Sequence, residues 1–113
     1  MENLTVRREQ SALLLKYEGE MTLEVVPGLK RTVEAELASD EVTAVVMDLS
    51  CVEFMDSSGI GFLVSLYTRM RTAGKGFYLL SISSKVRKTL NLVQLLNYFT
   101  VVENDDELAT LLA

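Results

Sequence analysis

The segment spanning residues 42–49 contains the run Ala44-Val45-Val46-Met47, in which no side chain is suited to face water. A strand built from it needs apolar cover on both faces, a requirement met in the middle of a largely parallel sheet flanked by helices. Whatever else the chain does, it has to supply those helices.

The remaining segments provide them in alternation. Residues 4–6 and 12–17 read as two short strands joined by the polar stretch Arg7-Arg8-Glu9-Gln10-Ser11, an antiparallel pair that opens the chain. Val26, Leu29, Val33 and Leu37 then recur at spacings of three and four, with Lys30, Arg31, Glu34 and Glu36 between them. That pattern predicts an amphipathic helix, with Pro27 in its first turn where a missing N–H matters least. From 58 to 72 the pattern is helical again. Phe62, Leu66 and Met70 form one line and Ile60, Leu63 and Tyr67 a second, before Gly74-Lys75-Gly76 stops the helix. One line satisfies a core; the second is either buried under a neighbouring loop or offered to a partner.

Residues 77–82 read as a strand, 84–96 as a helix carrying Val86, Leu90 and Val93, and 98–102 as a last strand. Asn104-Asp105-Asp106-Glu107 has capping-box spacing, which predicts a C-terminal helix with Leu108, Leu111 and Leu112 turned inward. The order β-β-α-β-α-β-α-β-α implies an α/β fold in one domain over residues 1–113. Its sheet is mixed but mostly parallel, with an antiparallel N-terminal strand at one edge and about four flanking helices.

Composition narrows function by exclusion. A net charge of -5 and a sequence pI near 4.7 argue against nucleic acid or anionic lipid as a partner, since both call for clustered Lys and Arg. No stretch is long and apolar enough to span a membrane, and Met1-Glu2-Asn3-Leu4 lacks the basic-then-apolar form of a secretion signal, so a soluble cytoplasmic protein is expected. The single cysteine, Cys51, allows no intrachain disulfide or cysteine metal cluster and is expected in the core. The absence of histidine removes the commonest general base and the commonest transition-metal ligand. No enzymatic activity, cofactor or metal is expected.

Attention therefore falls on Phe54-Met55-Asp56-Ser57-Ser58-Gly59-Ile60-Gly61, which sets an acid and two hydroxyls between a strand-like and a helix-like run. A helix N-terminus has free N–H donors and a favourable dipole for an anion, so a phosphate on Ser57 would be well placed there. Without further information Ser57 and Ser58 read as helix caps, and Asp56 as a cap or turn residue. A hydrolase reading fails because the turn is Asp-Ser-Ser-Gly-Ile, not Gly-x-Ser-x-Gly, and has no histidine base. Asp48 at a strand end invites a receiver-type phosphoacceptor role, but the accompanying acidic cluster and late lysine are missing. Lys85, Arg87 and Lys88 read as a solvated helix face.

Val45-Val46-Met47-Asp48-Leu49-Ser50, followed by Val52 through Gly61 with its Asp56-Ser57-Ser58-Gly59 turn, resembles the STAS domain family in its stand-alone form, the bacterial anti-sigma factor antagonist. Gly19-Glu20-Met21 and Ser83-Ser84-Lys85-Val86 add to the resemblance, which covers nearly the whole chain. The resemblance implies that Ser57 is phosphorylated by a partner that is both serine kinase and anti-sigma factor, with a histidine-kinase-like ATPase fold. The unphosphorylated chain would capture that partner and free its client, and a PP2C-type phosphatase would reverse the modification. It also implies a partner-binding surface made of Met21, Thr22, Asp56, Ser58, Gly59, Ile60 and Leu63. Thr22 stands where many antagonists carry an aspartate, and its hydroxyl is left available to cap the first helix. The rival expectation is a constitutive STAS-like subunit of a lipid-transport ATPase complex or of a stress-signalling scaffold.

Overall fold

Val45 and Met47 point to one side of their strand and Val46 to the other, and all three are buried. The structure, a computed structural model, describes residues 3–112. Its elements in chain order are β1 (Leu4–Glu9), β2 (Ala12–Tyr17), β3 (Gly19–Met21), α1 (Val26–Glu36), β4 (Ala44–Asp48), β5 (Val52–Met55), α2 (Ser57–Thr72), β6 (Gly76–Leu80), α3 (Ser84–Leu92), β7 (Thr100–Val102) and α4 (Asp105–Leu112). Five strands form one sheet in the order β1-β2-β4-β6-β7, with β1 antiparallel at the edge and the rest parallel. Strand β4 is central, as its double-sided apolarity demands.

The parallel strands are laid down in one direction across the sheet, and right-handed crossovers then place every connecting helix on the same side. The burial pattern agrees. Val45, Met47, Phe77 and Leu79 share the main core with Leu29 and Val33 of α1, Phe62, Leu63 and Leu66 of α2, and Val86 and Leu90 of α3. On the opposite face Val46, Leu80 and Val102 meet only Leu108 of α4, with Leu14, Tyr78 and Leu112 at the margins. A sheet wound in one direction has no point where the strand order reverses, and so lacks the crevice in which open α/β sheets usually hold a ligand. Among the described residues no helix is long and apolar enough to cross a membrane.

Several expected boundaries shift for local reasons. The hairpin turn is only Gln10-Ser11, with Gln10 at φ 55°, so Arg7, Arg8 and Glu9 extend the edge strand. Helix α3 ends at Leu92, four residues early. Gln94 takes φ 59°, its N–H donates to the Asn91 carbonyl at 3.1 Å, and the Leu95 N–H donates to the Leu90 carbonyl at 2.8 Å. Helix α2 closes in the same geometry around Gly74 at φ 72°, with Gly74 N–H on the Arg71 carbonyl and Lys75 N–H on the Met70 carbonyl.

The chain released after α3 folds back over α2. Tyr98 and Phe99 pack edge-on against Tyr67, with ring centroids 4.8 and 5.8 Å away, so the loop covers the end of the second apolar line. Strand β7 consequently begins at Thr100. At the C-terminus the Asn104 carboxamide oxygen accepts the Glu107 N–H at 2.9 Å, while Glu107 reaches back to the Glu103 N–H, one residue before the expected partner. Leu108 is buried as expected, but Leu111 is 47% exposed and points away from the core. Cys51 is also exposed, because it sits in the turn between β4 and β5.

Two strands were not anticipated. β3 and β5 pair in parallel as a separate two-stranded ribbon, with Met21 opposite Met55 and Glu20 opposite Phe54. That ribbon carries the junction singled out in the sequence.

Candidate functional site

Gly59 explains how the ribbon and α2 meet. A Cβ at this position would lie 2.7 Å from the Met21 carbonyl oxygen and 2.6 Å from Met55 Cγ, distances that real Cβ atoms do not tolerate. Only glycine lets the first turn of α2 press against β3 and β5. The same Met21 carbonyl accepts the Asp56 N–H at 3.3 Å, closing the junction between the ribbon and the helix.

Asp56 is the N-cap of α2, with extended backbone at φ -93° and ψ -173°. Its Oδ1 accepts the Ser58 N–H at 2.9 Å and the Gly59 N–H at 3.2 Å, and its Oδ2 accepts the Leu23 N–H at 3.1 Å. One carboxylate therefore satisfies two donors of the helix start and holds the loop between β3 and α1 against it. The far end of β5 is held by Ser83, whose Oγ donates to the Val52 carbonyl at 2.8 Å and accepts the Val86 N–H at 3.2 Å as the cap of α3. Before β5, Asp48 Oδ1 accepts both the N–H and the Oγ–H of Ser50, a tight turn rather than a phosphoacceptor arrangement.

Ser57 is the first residue of α2 and is exposed. Among the described residues neither its hydroxyl nor that of Ser58 has a hydrogen-bond partner. Three expectations need correction here. Of the helix-start N–H groups expected to favour a phosphate, those of Ser58 and Gly59 are already taken by Asp56. Ser58 is not the cap but the second helical residue, because Asp56 has filled that role. Thr22 does not cap α1 with its hydroxyl: its carbonyl accepts the Val25 and Val26 N–H groups at 2.9 Å, and α1 begins without a side-chain cap.

The expected contact set separates by depth. Thr22, Asp56, Ser58 and Ile60 are partly exposed around Ser57, whereas Gly59 is buried. Met21 and Leu63 are 0% exposed and lie in the main core, so they form the floor beneath the surface and offer no side-chain contact. Sequence reasoning missed Leu23, 67% exposed beside the Asp56 clamp, and Phe54, 50% exposed on β5. The available signal for Leu23 was an apolar side chain in the short Thr22-Leu23-Glu24-Val25 connection, outside the helical line Val26, Leu29, Val33 and Leu37.

The electrostatics have one sign. Glu20, Glu24, Glu53 and Asp56 lie on the segments that meet at the junction, and residues 18–26 and 49–68 contain no Lys or Arg. Two large exposed apolar side chains and an exposed hydroxyl on an acidic, rigidly held surface suit docking to a basic protein surface better than catalysis. Among the described residues no group of acidic or sulfur side chains could hold a metal ion.

A family model described as the STAS domain matches residues 3–108. Among solved structures, an anti-sigma factor antagonist from Mycobacterium paratuberculosis superposes with a TM-score of 0.82 at 27% identity, covering 95% of this chain and 91% of that one. The anti-sigma factor antagonist SpoIIAA in its unphosphorylated form gives 0.80 at 17% identity, covering 96% and 95%. The Bacillus cell fate determinant SpoIIAA in its phosphorylated form gives 0.77 at 17% identity, covering 97% and 99%. At 17% identity the last two show a shared fold.

Proposed function

The chain belongs to the STAS domain family, and from that membership we propose that it is an anti-sigma factor antagonist acting by partner switching. In its unphosphorylated form it docks a serine-kinase anti-sigma factor of histidine-kinase-like ATPase fold through the surface around Ser57, and the partner's other client is released. Phosphorylation of Ser57 blocks docking, and a PP2C-type phosphatase restores it. The chain itself is a binding protein; the nucleotide belongs to the kinase.

The observation that carries this reading is the exposed Ser57 hydroxyl at the start of α2, next to Asp56, which holds both the helix start and the loop that carries the exposed Leu23. A phosphate there adds about -1.5 to -2 charges and three acceptor oxygens at neutral pH. Asp56 already occupies the Ser58 and Gly59 N–H groups, so the added charge lies beside an acid and projects outward into the docking surface. A partner positioned to meet an acidic, partly apolar patch loses its fit. The chain's similarity in fold to both the unphosphorylated and the phosphorylated form of SpoIIAA supports a block that needs no refolding.

The test is calorimetric titration of the kinase-like partner, with nucleotide, by the wild-type chain, Ser57→Ala and Ser57→Asp. Tight binding by the first two and at least a tenfold loss for Ser57→Asp, about 1.4 kcal/mol, is expected. Equal binding by all three would overturn the switch and favour a constitutive subunit.

A further inference from the structure

The 16 acids of the chain are not spread evenly along it. None lies in residues 57–102, a segment that carries six of the 11 cations: Arg69, Arg71, Lys75, Lys85, Arg87 and Lys88. The segments that build the junction from the other side, residues 18–26 and 49–56, carry acids and no cation. Charge therefore changes sign along the chain at Ser57 itself, the first residue of α2.

On α3 the cationic side is ordered as well as single in sign. Lys85, Lys88 and Leu92 follow one another at spacings of three and four, share one line of the helix, and are all exposed. Val86 and Leu90 bury the other side. Leu92, at 77%, is the most exposed large apolar side chain among the described residues, and Val93 next to it is also exposed. Arg87 is paired with Glu103 at 2.8 Å, but Lys85 and Lys88 form no ion pair among the described residues.

This line adjoins the Ser57 surface. Strand β5 pairs with β3 and is held at its start by Ser83, the cap of α3, through the Val52 carbonyl. Val52 precedes Ser57 by only about 16 Å of extended chain. An ordinary interface takes about 800 Å² and roughly 20–30 residues from each partner, more than Thr22, Leu23, Phe54 and the first turn of α2 supply. The footprint has to spread. Toward α1 the exposed surface carries both signs, Lys30 and Arg31 with Glu34, and selects no partner chemistry. Toward α3 it carries one.

We propose that the kinase-like partner docks with a face of two signs, basic against the β3–β5 ribbon and acidic against α3, where Lys85 and Lys88 select it and Leu92 anchors it. The inference rests on docking at Ser57 and names what the partner must present there. Adjacent patches of opposite sign fix orientation, because a partner turned around meets like charge on both halves. A phosphate on Ser57 puts its charge on the seam, against the acidic half of such a partner. An anionic bilayer fits the line less well, since two unpaired lysines fall short of the roughly four to eight cations of a lipid-binding cluster.

Calorimetric titration of the kinase-like partner, with nucleotide, by charge-matched variants tests this. Lys85→Glu with Lys88→Glu should weaken binding by about tenfold or more, whereas Lys30→Glu with Arg31→Glu, the same change in net charge, should weaken it by about threefold or less. Leu92→Ser, at an exposed position outside the core, should also cost about tenfold, and it carries the test should the reversed chain fold poorly by circular dichroism. Equal losses for the two reversed pairs would show repulsion by net charge alone and overturn the proposal, as would unaltered affinity for both α3 variants. Binding to phosphatidylserine vesicles that the Lys85 and Lys88 reversal abolishes, with partner affinity intact, overturns it in favour of a membrane contact. No binding by the wild-type chain removes the docking reading and this inference together. A loss on Ser57→Asp without a loss on the α3 changes removes this inference alone.

Discussion

The Asp56 carboxylate accepts the Leu23 backbone N–H at 3.1 Å, joining the start of α2 to a loop 33 residues earlier in the chain. The same side chain caps α2 through Ser58 and Gly59, so the acid of the Asp-Ser-Ser-Gly turn builds the surface before it touches anything else. Asp56→Ala should lose both cap and clamp, at about 1–2 kcal/mol by the usual range for a lost N-cap. Asp56→Asn keeps one acceptor oxygen and should lose less. Urea unfolding of the three proteins measures the difference, and an unchanged midpoint for Asp56→Ala would show that the clamp contributes nothing.

Gly59 and Gly61 make a paired test of why this turn carries glycine. A methyl at Gly59 meets a backbone carbonyl that cannot swing aside, so Gly59→Ala should destabilise by about 1–3 kcal/mol through overpacking. Gly61, two residues on, has nothing within 4 Å of its would-be Cβ. Gly61→Ala should instead stabilise by about 0.5–1 kcal/mol, because alanine restricts the unfolded chain and favours helix. Opposite shifts in denaturant midpoint are expected; shifts of the same sign would contradict the close approach of α2 to β3.

These residues also show how far the sequence could be read. Val45-Val46-Met47 announced a central strand because nothing in it could face water, and Gly74 announced the end of α2 because glycine takes positive φ without strain. The end of α3 was hidden, since the residue in the same left-handed position is Gln94 and no local signal marks it. The β3–β5 ribbon was hidden for a different reason. Gly19-Glu20-Met21 and Val52-Glu53-Phe54-Met55 are too short to show a period, and each becomes a strand only by pairing with the other, more than 30 residues away. The place of Ser57 at the start of α2 was legible through the motif, but that of Leu23 was not, because it is set by a hydrogen bond from a distant segment.

Gln94 itself yields a prediction. A non-glycine residue at φ 59° is strained, and Gln94→Gly removes that strain at a position where glycine is the usual helix terminator. The substitution should raise stability by about 0.5–1 kcal/mol, with a matching rise in Tm. The mirror change, Gly74→Ala at φ 72°, should lower stability by a similar amount, since open space around Gly74 leaves backbone strain as the only effect. A fall in Tm for Gln94→Gly would mean that the glutamine side chain contributes more than the strain it imposes.

Leu23 and Phe54 separate binding from folding. Both side chains are at least half exposed, so Leu23→Ser and Phe54→Ser should leave unfolding free energy within about 0.5 kcal/mol of wild type, as for other surface changes. As the largest apolar groups beside Ser57 they should carry a disproportionate share of docking energy, and each change should weaken the kinase-like partner at least tenfold. Calorimetry on the same preparations decides this. Unaltered affinity for both variants would move the docking surface away from β5 and the β3–α1 loop.

Phosphorylation of Ser57 should act at short range. Two unit charges 4 Å apart interact by about 1 kcal/mol in bulk water and about 4 kcal/mol near a protein surface, a repulsion confined to the exposed first turn, so a phosphate beside Asp56 should lower stability without melting α2. The first turn is already capped by Asp56, and Met21, Phe62 and Leu63 beneath it are buried apolar side chains with no group for the phosphate to bond. Amide resonances of residues 22–24 and 54–61 should therefore shift on phosphorylation while those of β4 and α3 stay in place. Perturbations spreading across β4 would mean that the phosphate switches the fold itself, and the block at the docking surface would then be a secondary effect.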